Sequence, residues 1–154
     1  MNETLIHYNW MPCVADWSLD YSDSYFISIG VTKLCKPPTL TETSAGDVKE
    51  NDIVFVKTDY LKNNYFQSQI LPHIQNKFIL VSGNSDFDVD NYDEIINNKN
   101  VLKWFCTNPP IDNEKVIGIP IGFQEKERVG GNQKVLKRCM NLKHTGNNKV
   151  LLPY

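Results

Sequence analysis

The sequence predicts an α/β fold of the Rossmann-like kind, a mostly parallel sheet with helices on both faces, built as a single lobe. Three observations carry this. The runs Ile53-Val54-Phe55-Val56 and Phe78-Ile79-Leu80-Val81 are apolar at every position, as expected of inner parallel strands, which are covered on both faces. Between them, residues 60–75 place Leu61, Tyr65, Phe66, Ile70 and Ile74 at helical spacing, and strand, helix and strand in about 30 residues make a βαβ unit. The chain length of 154 residues suits one domain, large enough to bury about 68–70% of its unfolded surface without a disulfide or metal staple.

The elements follow in order. Residues 1–50 read as an irregular N-terminal section with one strand, "SYFISIGVTKL" (24–34), rich in aromatic and β-branched residues, followed by a loop, "KPPTLTETSAGD". The α/β core, 51–124, opens with a strand over 52–59 and continues with the helix over 60–75, which Pro72 ends or kinks in its last turn. A strand over 78–81 comes next. Tyr92, Ile95 and Ile96 mark a short helix within 91–100, and "VLKWF" (101–105) and "KVIGIPIGF" (115–123) are further strands. Residues 125–154 form a polar C-terminal tail or the start of a second lobe. Within it, 132–143 is a helix with Val135, Leu136, Cys139 and Met140 inside and Lys134, Lys137, Arg138 and Lys143 outside, and Val150-Leu151-Leu152 is a terminal apolar run.

Charge and cysteine content exclude several classes. With 16 basic and 18 acidic residues and a net charge of -2, the chain lacks the basic footprint of a nucleic-acid-binding module. Apart from Arg128 and Arg138 every basic residue is lysine, so forked phosphate clamps are scarce and bound phosphate would meet lysine or backbone N–H groups. Cys13, Cys35, Cys106 and Cys139 are widely spaced and read as reduced thiols. No signal peptide and no apolar run of membrane-spanning length is present. The expectation is a cytoplasmic protein with no membrane span.

Three strands end in polar or glycine-containing runs: Lys57-Thr58-Asp59, Ser82-Gly83-Asn84-Ser85-Asp86, and Pro120 to Gln124 with Gly122 inside it. In open parallel sheets ligands bind beyond the carboxyl ends of the strands, so parallel neighbours would bring these runs to one edge. Gly83, just past a strand, is expected to supply positive φ or to let a ligand approach the main chain. Trp104 ends a strand where it would either stack on a sugar or pack in the core. Asp86, Asp88 and Asp90 alternate, and on an extended chain they would converge on a divalent metal such as manganese. This is the runner-up to a site without metal or other cofactor. No dinucleotide or Walker-type glycine motif is present, and His7, His73 and His144 lie near no nucleophile signature.

Taken together, "DIVFVKTDYL", "ILPHI", "FILVSGNSD", "VLKWFCTNP" and "KVIGIPIGF" resemble the motif order of glycosyltransferase-like, exostosin-like proteins of large DNA viruses, algae and bacteria. The resemblance covers about residues 52–124. It differs where "VSGNSD" stands for a histidine-containing form and "WFCTN" for a glutamine-containing one. It implies one Rossmann-like lobe of a two-lobed transferase that moves a sugar from a nucleotide-sugar donor to a glycan acceptor, with a second lobe or partner chain. Lys57, Asp59, Asn84, Asp86, Asn108 and Gly122 are the residues it carries over. In that reading Asp86 or Asp59 is the general base and Lys57 offsets negative charge. Thr58, Ser82, Gly83, Asn84, Ser85, Trp104, Asn108, Gly122 and Gln124 bind substrate. The competing expectation is a non-catalytic α/β module that recognises a carbohydrate or protein through the same edge.

Overall fold

Parallel strands require a crossover that returns the chain to its starting end, and the chain supplies one between each pair of successive strands. The computed structural model describes residues 11–20 and 37–120, together with Lys134 and Arg138. Strands β1 (Trp17–Leu19), β2 (Ile53–Lys57), β3 (Phe78–Gly83), β4 (Val101–Cys106) and β5 (Val116–Gly118) form one sheet in chain order. Every neighbouring pair is parallel. The protein is an α/β protein with a Rossmann-like parallel sheet.

β1 comes from a stretch that sequence reading left irregular, because three residues carry no measurable period. It is fixed by side chains instead. Asp16 Oδ2 accepts from the Ile53 N–H at 2.8 Å, and Trp17 Nε1 donates to Asp52 Oδ2 at 2.9 Å. On its far side Ser18 pairs with Thr39. The strand expected at 24–34 lies outside the described residues, as does the end of the one expected over 115–123. Of the C-terminal helix expected over 132–143, Lys134 and Arg138 are helical and exposed, consistent with a solvated basic face.

The helix expected over 60–75 is divided. It begins as α1 (Thr58–Lys62), turns at Asn63-Asn64, resumes as a π-helical turn (Phe66–Ile70) and ends in a 3₁₀ turn (Leu71–His73) with Pro72 near its start. The break falls at Asn64, whose φ is 63°. Asparagine tolerates this left-handed conformation, and the Asn63 side chain accepts from the Tyr65 N–H at 3.0 Å, competing with helical pairing. Apolar spacing located the buried face correctly but could not reveal the local turn. A second helix, α2 (Asp93–Asn97), is shorter than the 91–100 segment that suggested it.

Leu61, Phe66, Ile70, Ile74 and Ile95 pack with Val54, Val56, Leu80 and Trp104 into one core cluster. Parallel crossovers are right-handed, so an order without reversal stacks successive connections on the same face; α1, the turns after it and α2 therefore share a side of the sheet. The opposite face carries the 3₁₀ turn Pro12–Val14 and Met11, whose sulfur lies against Gly83. The described strand order contains no reversal, so ligand-binding potential rests on the common carboxyl rim rather than on a topological switch point.

Candidate active site

Register decides which side chains meet at the rim. Lys57 pairs with Gly83 across β2 and β3, and Leu19 with Val56 across β1 and β2. One residue further along β1, Asp20 is therefore level with Lys57. Since side chains alternate along a strand, Asp20, Lys57 and Gly83 point to the face opposite Leu19, Val56 and Ser82. The expected parallel arrangement thus brings the β2 and β3 ends together, and adds an aspartate from β1 that sequence reading did not select.

Asp20 and Lys57 are buried, at 8% and 7% exposure. Lys57 Nζ forms an ion pair with Asp59 Oδ1 at 2.8 Å, and the Asp59 side chain remains one-third exposed. Burial raises the Asp20 carboxyl from 3.8 to about 7, against the lowering effect of Lys57 and with a further rise from Asp59. The physical cause is first burial, which disfavours the charged carboxylate, and then the Asp59 carboxylate, which shares the one nearby ammonium. Below neutral pH the trio is a neutral Asp20 beside a Lys57–Asp59 ion pair.

Thr58, also buried, donates its hydroxyl to the Gly83 carbonyl at 3.3 Å, tying the first turn of α1 to the end of β3. Asn84 follows with φ 59°, so the left-handed turn expected at Gly83 sits one residue later. Gly83 instead answers to packing. A Cβ there would stand 3.2 Å from the Met11 sulfur and 3.3 Å from Thr107 Cγ2, so protein atoms occupy the approach expected of a ligand. Among the described residues, Asp59 Oδ2 and both amide atoms of Asn84 are buried without a hydrogen-bond partner. Such atoms are uncommon in folded proteins, and these three sit on adjacent strand ends.

Other expected site residues belong elsewhere. Trp104 is fully buried and donates Nε1 to Ser82 Oγ at 2.8 Å, and Ser82 is buried as well; both support the rim from within, and neither offers a surface to a sugar. Their large buried area and satisfied polar atoms explain the correction. Ser85 accepts from the Phe87 N–H at 3.2 Å and so closes a turn. Asp86 is exposed. Gly122 and Gln124 lie outside the described residues.

The alternation of Asp86, Asp88 and Asp90 does not produce a metal centre: no group of three or more His, Cys, Asp or Glu side chains able to hold an ion occurs among the described residues. The chain leaves extended geometry after Gly83, and Asp90 is engaged by Lys62. Asn108 instead lines an open cleft beyond β3 and β4, together with Asp88, Asp90 and Tyr92. "WSLD" is too short to show a strand period, and its only pointer to Asp20 is a leucine followed by a carboxylate.

Cys106 is a free, buried thiol, and burial pushes it up to about 11, leaving it unreactive at neutral pH. No helix among the described residues is long and apolar enough to cross a membrane. In comparisons with known proteins, no family model matches the chain and no curated protein matches it.

Proposed function

We propose that this rim transfers a sugar from a nucleotide-sugar donor to a carbohydrate acceptor. The observation that supports it is one lysine shared by two carboxylates at the ends of adjacent parallel strands, beside buried polar atoms that lack partners. In such a transfer the acceptor oxygen bonds to the anomeric carbon while the bond from that carbon to the diphosphate oxygen breaks. The electron pair leaves with the diphosphate, and the hydroxyl proton needs a base. Asp59, whose side chain is one-third exposed at the rim, supplies the base. Lys57 offsets the charge that develops on the leaving group. Asp20, titrating near neutrality, sets whether that lysine answers to one carboxylate or two. Asp86, the other expected base, is exposed.

The lobe works with a second lobe or a partner chain that closes over the rim, in a reducing, cytoplasmic setting. The depth at which Asp20 and Lys57 are buried favours a second reading, a non-catalytic module that binds a carbohydrate or protein at the same edge. Release of nucleoside diphosphate from a panel of nucleotide sugars, with a glycan mixture and with candidate partner chains, separates the two. The transferase reading expects turnover that falls about 100-fold or more in Asp59→Asn while folding is retained. No turnover of any donor under any of these conditions would leave the binding module.

A further inference from the structure

The cleft beyond β3 and β4 has a volume of about 510 Å³ and is lined by Asp88, Asp90, Tyr92, Asn108, Pro109 and Pro110. That volume lies within the range of small-ligand sites, about 300–1,000 Å³. Its walls are held in place. Gln67, buried in the π-helical turn, donates Nε2 to the Asn91 carbonyl at 2.9 Å and to the Leu61 carbonyl at 3.0 Å. Lys62 pairs with Asp90, and Val89 between the two aspartates is buried as an anchor. On the other side Pro109 packs against β5, 3.3 Å from where a Gly118 Cβ would stand.

The lining selects by charge. Among the described residues two carboxylates and an amide line the cleft and no lysine or arginine does; Lys62 pairs with Asp90 at its edge, and the remaining charge, that of Asp88, would repel a phosphate or an acidic sugar. Carboxylate and amide groups pair well with hydroxyls, and a tyrosine with two prolines offers apolar surface for the C–H face of a sugar ring. We propose that this cleft binds a neutral, polyhydroxylated glycan. The proposal rests on the transferase reading for its role: the cleft takes the acceptor, and the Lys57 end of the rim takes the charged donor.

The binding claim is tested without any donor present. The full chain, labelled with nitrogen-15, is titrated separately with neutral tetrasaccharides of glucose, mannose and N-acetylglucosamine, with tetragalacturonate, and with spermidine. At least one neutral tetrasaccharide is expected to move the amide signals of Asp88, Tyr92 and Asn108. Asn108→Ala and Asp88→Ala, both at exposed positions, should keep a folded spectrum and weaken that binding about tenfold or more. Tetragalacturonate should bind at least about tenfold more weakly than its neutral counterpart. Failure of every neutral tetrasaccharide to move these signals, equal binding of tetragalacturonate, or spermidine binding there in place of sugar would each overturn the proposal. Glycan binding without nucleotide-sugar turnover would sink the transferase reading and leave the glycan site standing.

Discussion

Two aspartate-rich stretches lie at the same rim and differ in every physical respect. Asp20 and Asp59 come from separate strand ends and share Lys57; Asp20 is buried and Asp59 one-third exposed. Asp86, Asp88 and Asp90 are close in sequence yet exposed, and the pair between Asp90 and Lys62 lies at the surface. Local density of a residue type makes a pattern visible in sequence, whereas strand register makes carboxylates interact. Coupled electrostatics therefore belongs to the pair that sequence spacing did not join.

Removing the shared cation should break that contrast most severely. Lys57→Met leaves the buried Asp20 and the one-third-exposed Asp59 without their shared cation, and unfolding by denaturant at pH 8 should show a loss of about 3–5 kcal/mol. At pH 5, where Asp20 is protonated, the loss should be clearly smaller. An equal loss at both pH values would mean that Lys57 contributes through packing alone.

Asp20→Asn should act through pH. A carboxyl whose folded value is raised above its unfolded value binds its proton more tightly in the native state. Its contribution to stability is thus greatest below about pH 4 and is lost as pH rises to about 7. The wild-type protein should lose stability across that window, and Asp20→Asn should lack this part of the slope and exceed wild type by about 1–3 kcal/mol at pH 8. Thermal unfolding across pH measures the difference.

The exposed stretch should respond least. Lys62→Ala removes a surface ion pair and should cost less than about 1 kcal/mol, with the effect shrinking further in high salt. Asp86→Asn should stay within about 0.5 kcal/mol of wild type and should leave nucleotide-sugar turnover unchanged. A large drop in turnover with normal stability would return the role of base to Asp86.

Much of the frame was legible because its signals are local and repeated. The runs Ile53-Val54-Phe55-Val56 and Phe78-Ile79-Leu80-Val81 are apolar throughout, and β2 and β3 contain them. Lys57, Thr58 and Asp59 form a strand-end run legible in the sequence; the parallel register places Lys57 beside Gly83, and Thr58 donates to the Gly83 carbonyl. What escaped was set by contacts distant in sequence. β1 exists through the bonds Asp16 and Trp17 make to residues 52 and 53, and Trp104 is internal because Ser82 satisfies its N–H. The interruption at Asn64 is a single left-handed residue within an otherwise regular apolar spacing, which periodicity averages away.

The shared-lysine account is tested most directly by following the side-chain carboxyl carbon of Asp20 by NMR from pH 3 to pH 9, in wild type and in Asp59→Asn. The account predicts a midpoint near pH 7 in wild type and a lower one in the variant, because the Asp59 charge contributes to the rise. A midpoint in the ordinary carboxylate range near pH 4, unmoved by Asp59→Asn, would contradict it.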